Sequence, residues 1–213
     1  DTPYGMAADT AGNVYVTGAH SDTVFQIAPD GGISQILDNM GHGVGNFLSL
    51  PHGVATDVAG NVYVVGQASQ NVFQIAPAGV ISEIIDSTGN SLNAPRSLAT
   101  DAAGNVYVAG RSSNNVFQIT PAGVIAEIID STGSGAGNSL DEPLGVAPDA
   151  AGNVYVAGAR SDNVFQITPG GVITQILDRT GDGAGNFLDA PEGVATDAAG
   201  NVYVAGRFSD NVF

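Results

Sequence analysis

A chain of 213 residues that is 43% apolar can bury a core of its own, while 21 carboxylates against five arginines and no lysine give a net charge of −16. That charge repels phosphate backbones and anionic lipid, which argues against a nucleic-acid partner and against a polybasic membrane anchor. The absence of cysteine excludes a disulfide framework and thiolate chemistry, and no apolar run approaches the roughly 18 residues of a membrane-spanning helix, so no membrane insertion is expected.

The first residues, Asp1-Thr2-Pro3, read as a processed or trimmed start. Beyond them one phrase organises the chain. Asn-Val-Tyr-Val begins at Asn13, Asn61, Asn105, Asn153 and Asn201, in steps of 48, 44, 48 and 48 residues. A fixed period in this range signals stacked or circular repeats. The units run approximately over 3–50, 51–94, 95–142, 143–190 and, incompletely, 191–213, and make a single domain. Gly, Asn, Asp and Pro punctuate each unit, and the short runs between them are rich in Val, Ile, Tyr and Phe. That pattern predicts strands, not helices.

Each unit divides into four strands, a to d. In the fourth copy they are predicted over Gly145–Asp149, Asn153–Gly158, Asn163–Thr168 and Val172–Leu177. The a–b and c–d links read as tight hairpin turns. Gly152 and either Gly170 or Gly171 supply positive φ there, and Pro169 presets the second turn. The recurring Asp9, Asp57, Asp101, Asp149 and Asp197 precede the same turn sequence each time, which assigns them to capping turn amides and not to a metal site. In strand b the valines fall on one face and the tyrosine on the other, so both faces are expected to be buried between stacked sheets.

A four-stranded unit of this length has the size of a propeller blade. The stretch Pro191 to Val204, "PEGVATDAAGNVYV", resembles the NHL-repeat and bacterial β-propeller-repeat families, and the likeness covers nearly the whole chain. The resemblance implies an all-β propeller and says little about function, since such families hold binding modules, sensor domains and a few lyases and hydrolases. The expected architecture is five-bladed, four full four-stranded blades plus a truncated fifth. The alternative is part of a propeller of six or more blades.

Comparison of the copies locates the positions that do not repeat. One is the residue after the proline that opens strand a: Tyr4, His52, Arg96, Leu144 and Glu192. The other is the pair after the strand-b glycine, which includes His20, Arg111, Arg160, Arg207 and Phe208. In an up-and-down blade the d–a and b–c links emerge on one end of the ring. These ten residues are therefore expected to line a ligand-binding surface around the axis. If the protein were an enzyme, His52 and Glu192 would be the acid–base pair and Arg96 the anion holder. The favoured expectation is a non-catalytic binding scaffold for a protein, glycan or small molecule, extracellular or periplasmic, with no cofactor. A multivalent, lectin-like binder that uses grooves between blades is a further alternative. Ser21, Ser69, Ser113, Ser161 and Ser209 in the b–c loops are read as caps of their own loops. The loop Asp178–Asn186 is oxygen-rich, but Asp182 is replaced by His42, Asn90 and Ser134 in its siblings. It is read as a glycine-rich turn, and no metal site is expected.

Overall fold

The computed structural model describes residues 2–43, 45–135 and 137–213. Its strands form five antiparallel sheets, each a meander in chain order. The first holds β1 (Pro3–Ala8), β2 (Val14–Gly18), β3 (Thr23–Ile27) and β4 (Ile33–Leu37). The second holds β5 (Pro51–Thr56), β6 (Val62–Gly66), β7 (Asn71–Ile75) and β8 (Ile81–Ile85). The third holds β9 (Pro95–Thr100), β10 (Val106–Gly110), β11 (Asn115–Ile119) and β12 (Ile125–Ile129). The fourth holds β13 (Pro143–Pro148), β14 (Val154–Gly158), β15 (Asn163–Ile167) and β16 (Ile173–Leu177). The fifth has β17 (Pro191–Thr196), β18 (Val202–Gly206) and the short β19 (Asn211–Val212).

The turns behave as their residues dictate. Gly152 and Gly171 take φ of 84° and 79°, the left-handed region that their hairpins require. Asp149 Oδ1 accepts the amides of Ala151 and Asn153, both at 2.9 Å, so the carboxylate closes the turn. The inner strand begins earlier than expected, at Pro143 in place of Gly145. Proline tolerates the first position of a strand because no ladder donor is needed there. Pro143 pairs with Gly158 and Gly145 with Ala157, so Leu144 is an extra residue in a bulge. Arg96 and Glu192 stand at the same bulge in the third and fifth sheets.

Successive sheets stack face to face through apolar layers. Tyr63, Val72 and Ile85 of the second sheet meet Leu98, Val108 and Phe117 of the third. Tyr107, Val116 and Ile129 of the third meet Val146, Val156 and Phe165 of the fourth. Both faces of β6, β10 and β14 are buried throughout. Each fully buried Val, Leu or Phe stabilises the stack by roughly 1.5–3 kcal/mol. A leucine from each d–a loop, Leu48, Leu92, Leu140 or Leu188, joins one of these layers and is fully buried.

Polar latches tie neighbouring sheets at both ends. Thr56 Oγ1 donates to the Ala8 carbonyl at 2.9 Å, Thr100 to Thr56 at 2.8 Å, and Thr196 to Pro148 at 2.7 Å. At the other end Asp22, Asn114 and Asp162 accept the amides of Leu50, Glu142 and Ala190. The inner strands pack in the series β1, β5, β9, β13, β17, and β17 with β1 is not one of the packed pairs. The five sheets therefore form a propeller-like arc.

Candidate binding surfaces

The residues expected around the axis fall at the d–a and b–c end, and the structure sorts them into pairs. The Tyr4 and His52 rings stack with centroids 4.1 Å apart. Burial, with the charges of Arg96 and Arg111 nearby, pushes the His52 imidazole down to about 4, so the ring is neutral near pH 7. The Arg111 guanidinium donates to both Glu142 oxygens at 3.1 and 3.2 Å, and its buried Nε meets no acceptor among the described residues. Arg160 lies 3.7 Å from Asp141 and 4.0 Å from Glu142. Arg207 donates to Glu192 at 2.9 Å and lies 4.9 Å from the ring centre of the exposed Phe208. Leu144 is half-buried at its bulge, and His20 is exposed at the tip of the first b–c loop. His52 and Glu192 are on β5 and β17, whose strands are not packed neighbours. Glu192 is engaged by Arg207 instead.

The b–c pairs vary because their backbone, not their side chains, holds the loop. The amides of Gln67, Ala159 and Arg207 donate to the carbonyls of Leu50, Glu142 and Ala190, each at 3.0 Å. The loop serine does more than cap its own loop. Ser69 Oγ accepts the Ser49 amide from the d–a loop and donates to Asn71 Oδ1. Asn71 in turn donates to Glu83 at 2.8 Å, and Asn115 to Glu127 at the same distance.

The opposite end, with the a–b and c–d turns, carries cavities that repeat with the sequence. Between the first and second sheets a groove of about 440 Å³ is lined by Tyr15, Gln26 and Ile36 on one side and Ala59, Val62 and Pro77 on the other. Between the second and third, Tyr63, Gln74 and Glu83 face Ala103, Val106 and Pro121 across about 520 Å³. Between the third and fourth, Tyr107, Gln118 and Glu127 face Ala151, Val154 and Pro169 across about 610 Å³. These volumes lie within the few hundred to about 1,000 Å³ usual for small-molecule sites. At the floor of each groove the tyrosine hydroxyl is fixed. Tyr63 and Tyr107 donate to Asp57 and Asp101 at 2.9 Å, and Tyr107 accepts from Gln118 at 3.3 Å. Burial and the adjacent carboxylate raise both tyrosines well above the usual phenol range.

Grooves between blades were among the expectations, but the sequence named none of these lining residues, because every one of them repeats and attention to variation passes over what does not vary. The available signal was the invariant Tyr–Gln pair, spaced 11 residues apart in every complete unit. No group of three or more His, Asp or Glu side chains among the described residues is arranged to hold a metal ion.

Comparison with known proteins agrees with the architecture. The beta-propeller repeat family matches residues 1–19 and 87–118. Searches of curated proteins find no match. Among solved structures, virginiamycin B lyase from Staphylococcus aureus superposes with a TM-score of 0.75 at 17% identity, over 99% of this chain and 68% of that one. A streptogramin B lyase gives 0.76 at 18% identity, over 99% and 63%. The nidogen/laminin complex gives 0.75 at 19% identity, over 99% and 74%. The chain thus spans about two thirds of the length of the lyases. These propellers have six blades. At such identities the likeness concerns the fold. With four complete four-stranded sheets and a partial fifth, the chain is an all-β protein of propeller-like sheets, two segments of which match the beta-propeller repeat family.

Proposed function

We propose that this protein is a non-catalytic binding scaffold whose recognition sites are the grooves between adjacent sheets. The observation that carries this reading is the recurrence of one lining, Tyr, Gln and a d-strand residue facing Ala, Val and Pro, at three successive interfaces. Equivalent grooves on a rigid frame give avidity from weak single contacts. The floor is a tyrosine hydroxyl already engaged with a carboxylate, and Glu83 and Glu127 add acceptors at two of the grooves. With a net charge of −16, this favours neutral or cationic polar ligands, sugar rings or amine-bearing side chains, over anions. Such a role suits an extracellular or periplasmic protein.

The axial end fits a binding or catalytic site less well. Its cations are mostly spent on neighbouring carboxylates, and its histidine is held neutral away from Glu192. For the ring itself, the lack of packing between β17 and β1 supports an arc over five sheets closed on themselves.

The test is calorimetric titration against neutral oligosaccharides and short lysine peptides. The expected stoichiometry exceeds one ligand per chain, and Gln74→Trp, which fills a single groove, lowers it by one. A stoichiometry of one, abolished by Arg96→Ala with Arg111→Ala, would instead move recognition to the axial end.

A further inference from the structure

Two polar side chains at the axial end are not spent on a partner. Arg111, Arg160, Arg179 and Arg207 each lie within 4.0 Å of a carboxylate. Arg96 differs. It is half-buried at the bulge of β9, and among the described residues it meets no carboxylate and makes no side-chain hydrogen bond. In a chain with 21 carboxylates, the fold supplies this one cation with no counter-charge, although a partly buried charge is costly unless it is paired.

His52 is the second group. It is only 8% exposed. Its ring stacks on Tyr4 and its backbone carbonyl accepts the Thr17 hydroxyl, but no group among the described residues bonds to either imidazole nitrogen. Arg111 Nε is the buried side-chain nitrogen without a partner among the described residues. The nitrogens of His52 and Arg96, equally without partners, are therefore not sealed off, and a small molecule can reach them. The two residues follow the prolines that open β5 and β9, and these strands pack against each other. The charges that act on the imidazole are those of Arg96 and Arg111, with no carboxylate among them. Buried polar groups in native proteins are bonded to something. Here both unmet groups suit an anion: a guanidinium, and an imidazole with one N–H to give.

We infer that His52 and Arg96 form a second binding site, which takes the carboxylate of a monoanionic ligand, with Arg96 as its counter-ion and the His52 N–H as a further donor. The planar guanidinium fork matches the two oxygens of a carboxylate. Charge disfavours a phosphate dianion. One unpaired cation neutralises one negative charge, and a second charge on the ligand would face a chain of net charge −16 uncompensated. Arg111 adds positive potential only, since its guanidinium is held by both oxygens of Glu142. The site lies on the second and third sheets, whose β6 and β10 are buried on both faces. It is at the opposite end of the sheets from the grooves, so neither reading depends on the other.

Imidazole proton resonances test it. Acetate replaces chloride at constant ionic strength near neutral pH, and the His52 signals, assigned by their loss in His52→Gln, are followed. They should move saturably with acetate. Those of His42, on a d–a loop with its ring centre 6.2 Å from that of Phe73, should stay still. Arg96→Gln has no bond to lose, so its melting midpoint should equal or exceed that of the parent protein. Its affinity for acetate should fall by about tenfold or more, as a charge-assisted pair is removed. Arg179→Gln, which deletes a positive charge elsewhere, should bind acetate as the parent does. Absence of a saturable shift in the parent, an equal response in Arg96→Gln, or tighter binding of inorganic phosphate than of acetate overturns the inference. A lower melting midpoint in Arg96→Gln overturns it too, since the guanidinium would then already hold a partner.

Discussion

Tyr107 Oη donates to Asp101 Oδ2 at 2.9 Å, across the turn that joins the two inner strands of the third sheet. The same carboxylate takes the Asn105 side chain at 2.7 Å and, through Oδ1, the amides of Ala103 and Asn105 at 2.9 Å. One aspartate thus closes a turn and anchors the tyrosine that is buried between two sheets. Asp101→Ala should destabilise the fold by about 2–3 kcal/mol, as several bonds to one charge are lost together. Asp197→Ala, at the exposed fifth copy, should cost clearly less. Urea denaturation midpoints of the two variants provide the comparison.

These aspartates set the response to acid. Burial pushes Asp57, Asp101 and Asp149 up, but the hydrogen bonds from asparagine, tyrosine and turn amides more than reverse it, and the folded values end below 3.8. At Asp9 and Asp197 the asparagine side chain is itself the leading cause of the lowering. A carboxylate depressed by folding contributes stability that is complete above its unfolded value and is lost as pH falls through the folded one. Stability should therefore decline below about pH 4. At the alkaline end the tyrosines act in the opposite sense. Burial and Asp9 raise Tyr15 to about 12, so its contribution is complete below about pH 10 and is lost as pH rises through 12. Melting temperatures across both windows should show the two declines, and Tyr107→Phe should weaken the alkaline one.

His52 adds a third region of pH dependence. Its ring is buried against Tyr4, and burial with Arg96 and Arg111 lowers it to about 4. A histidine kept neutral by the fold contributes fully above about pH 6.5, and that contribution is lost as pH falls towards 4. The loss is bounded at about 3 kcal/mol by the size of the shift. His52→Gln should flatten the stability profile between pH 6.5 and 4, and the imidazole proton shifts assigned to His52 by their absence from that variant should show no titration above pH 5.

Thr17 stands where Val65, Ala109, Ala157 and Ala205 stand in the other copies. It is fully buried; its hydroxyl donates to the His52 carbonyl at 2.8 Å and accepts the Gly5 amide at 2.8 Å. Thr17→Val keeps the volume and removes both bonds, at a cost of about 1–3 kcal/mol. Thermal unfolding of the two proteins measures it. Gly5 itself has no room for a side chain, since an added Cβ would lie 2.1 Å from the His52 carbonyl oxygen.

Much of this architecture was legible in the sequence because its causes are local. Proline, glycine and aspartate fix the turns within a few residues, and the alternation of valine and tyrosine states that both faces of strand b are buried. The axial residues were legible as variable but not as a site. Arg96, Leu144 and Glu192 occupy bulges that lift them out of the ladder, and the loop pairs beside them are held through backbone amides, so their side chains were free to differ. Which of them met depended on stacking. Tyr4 reached His52, and Glu192 reached Arg207 instead of a histidine three sheets away.

The sequence by itself determined the repeat, the four-stranded meander and the aspartate-capped turns, since each of these is settled by contacts within one unit. Only the tertiary structure decided where neighbouring units leave space. The grooves behind Tyr15, Tyr63 and Tyr107 depend on the angle between whole sheets. That angle is the summed outcome of packing across every interface, and no residue pattern within a single unit states it.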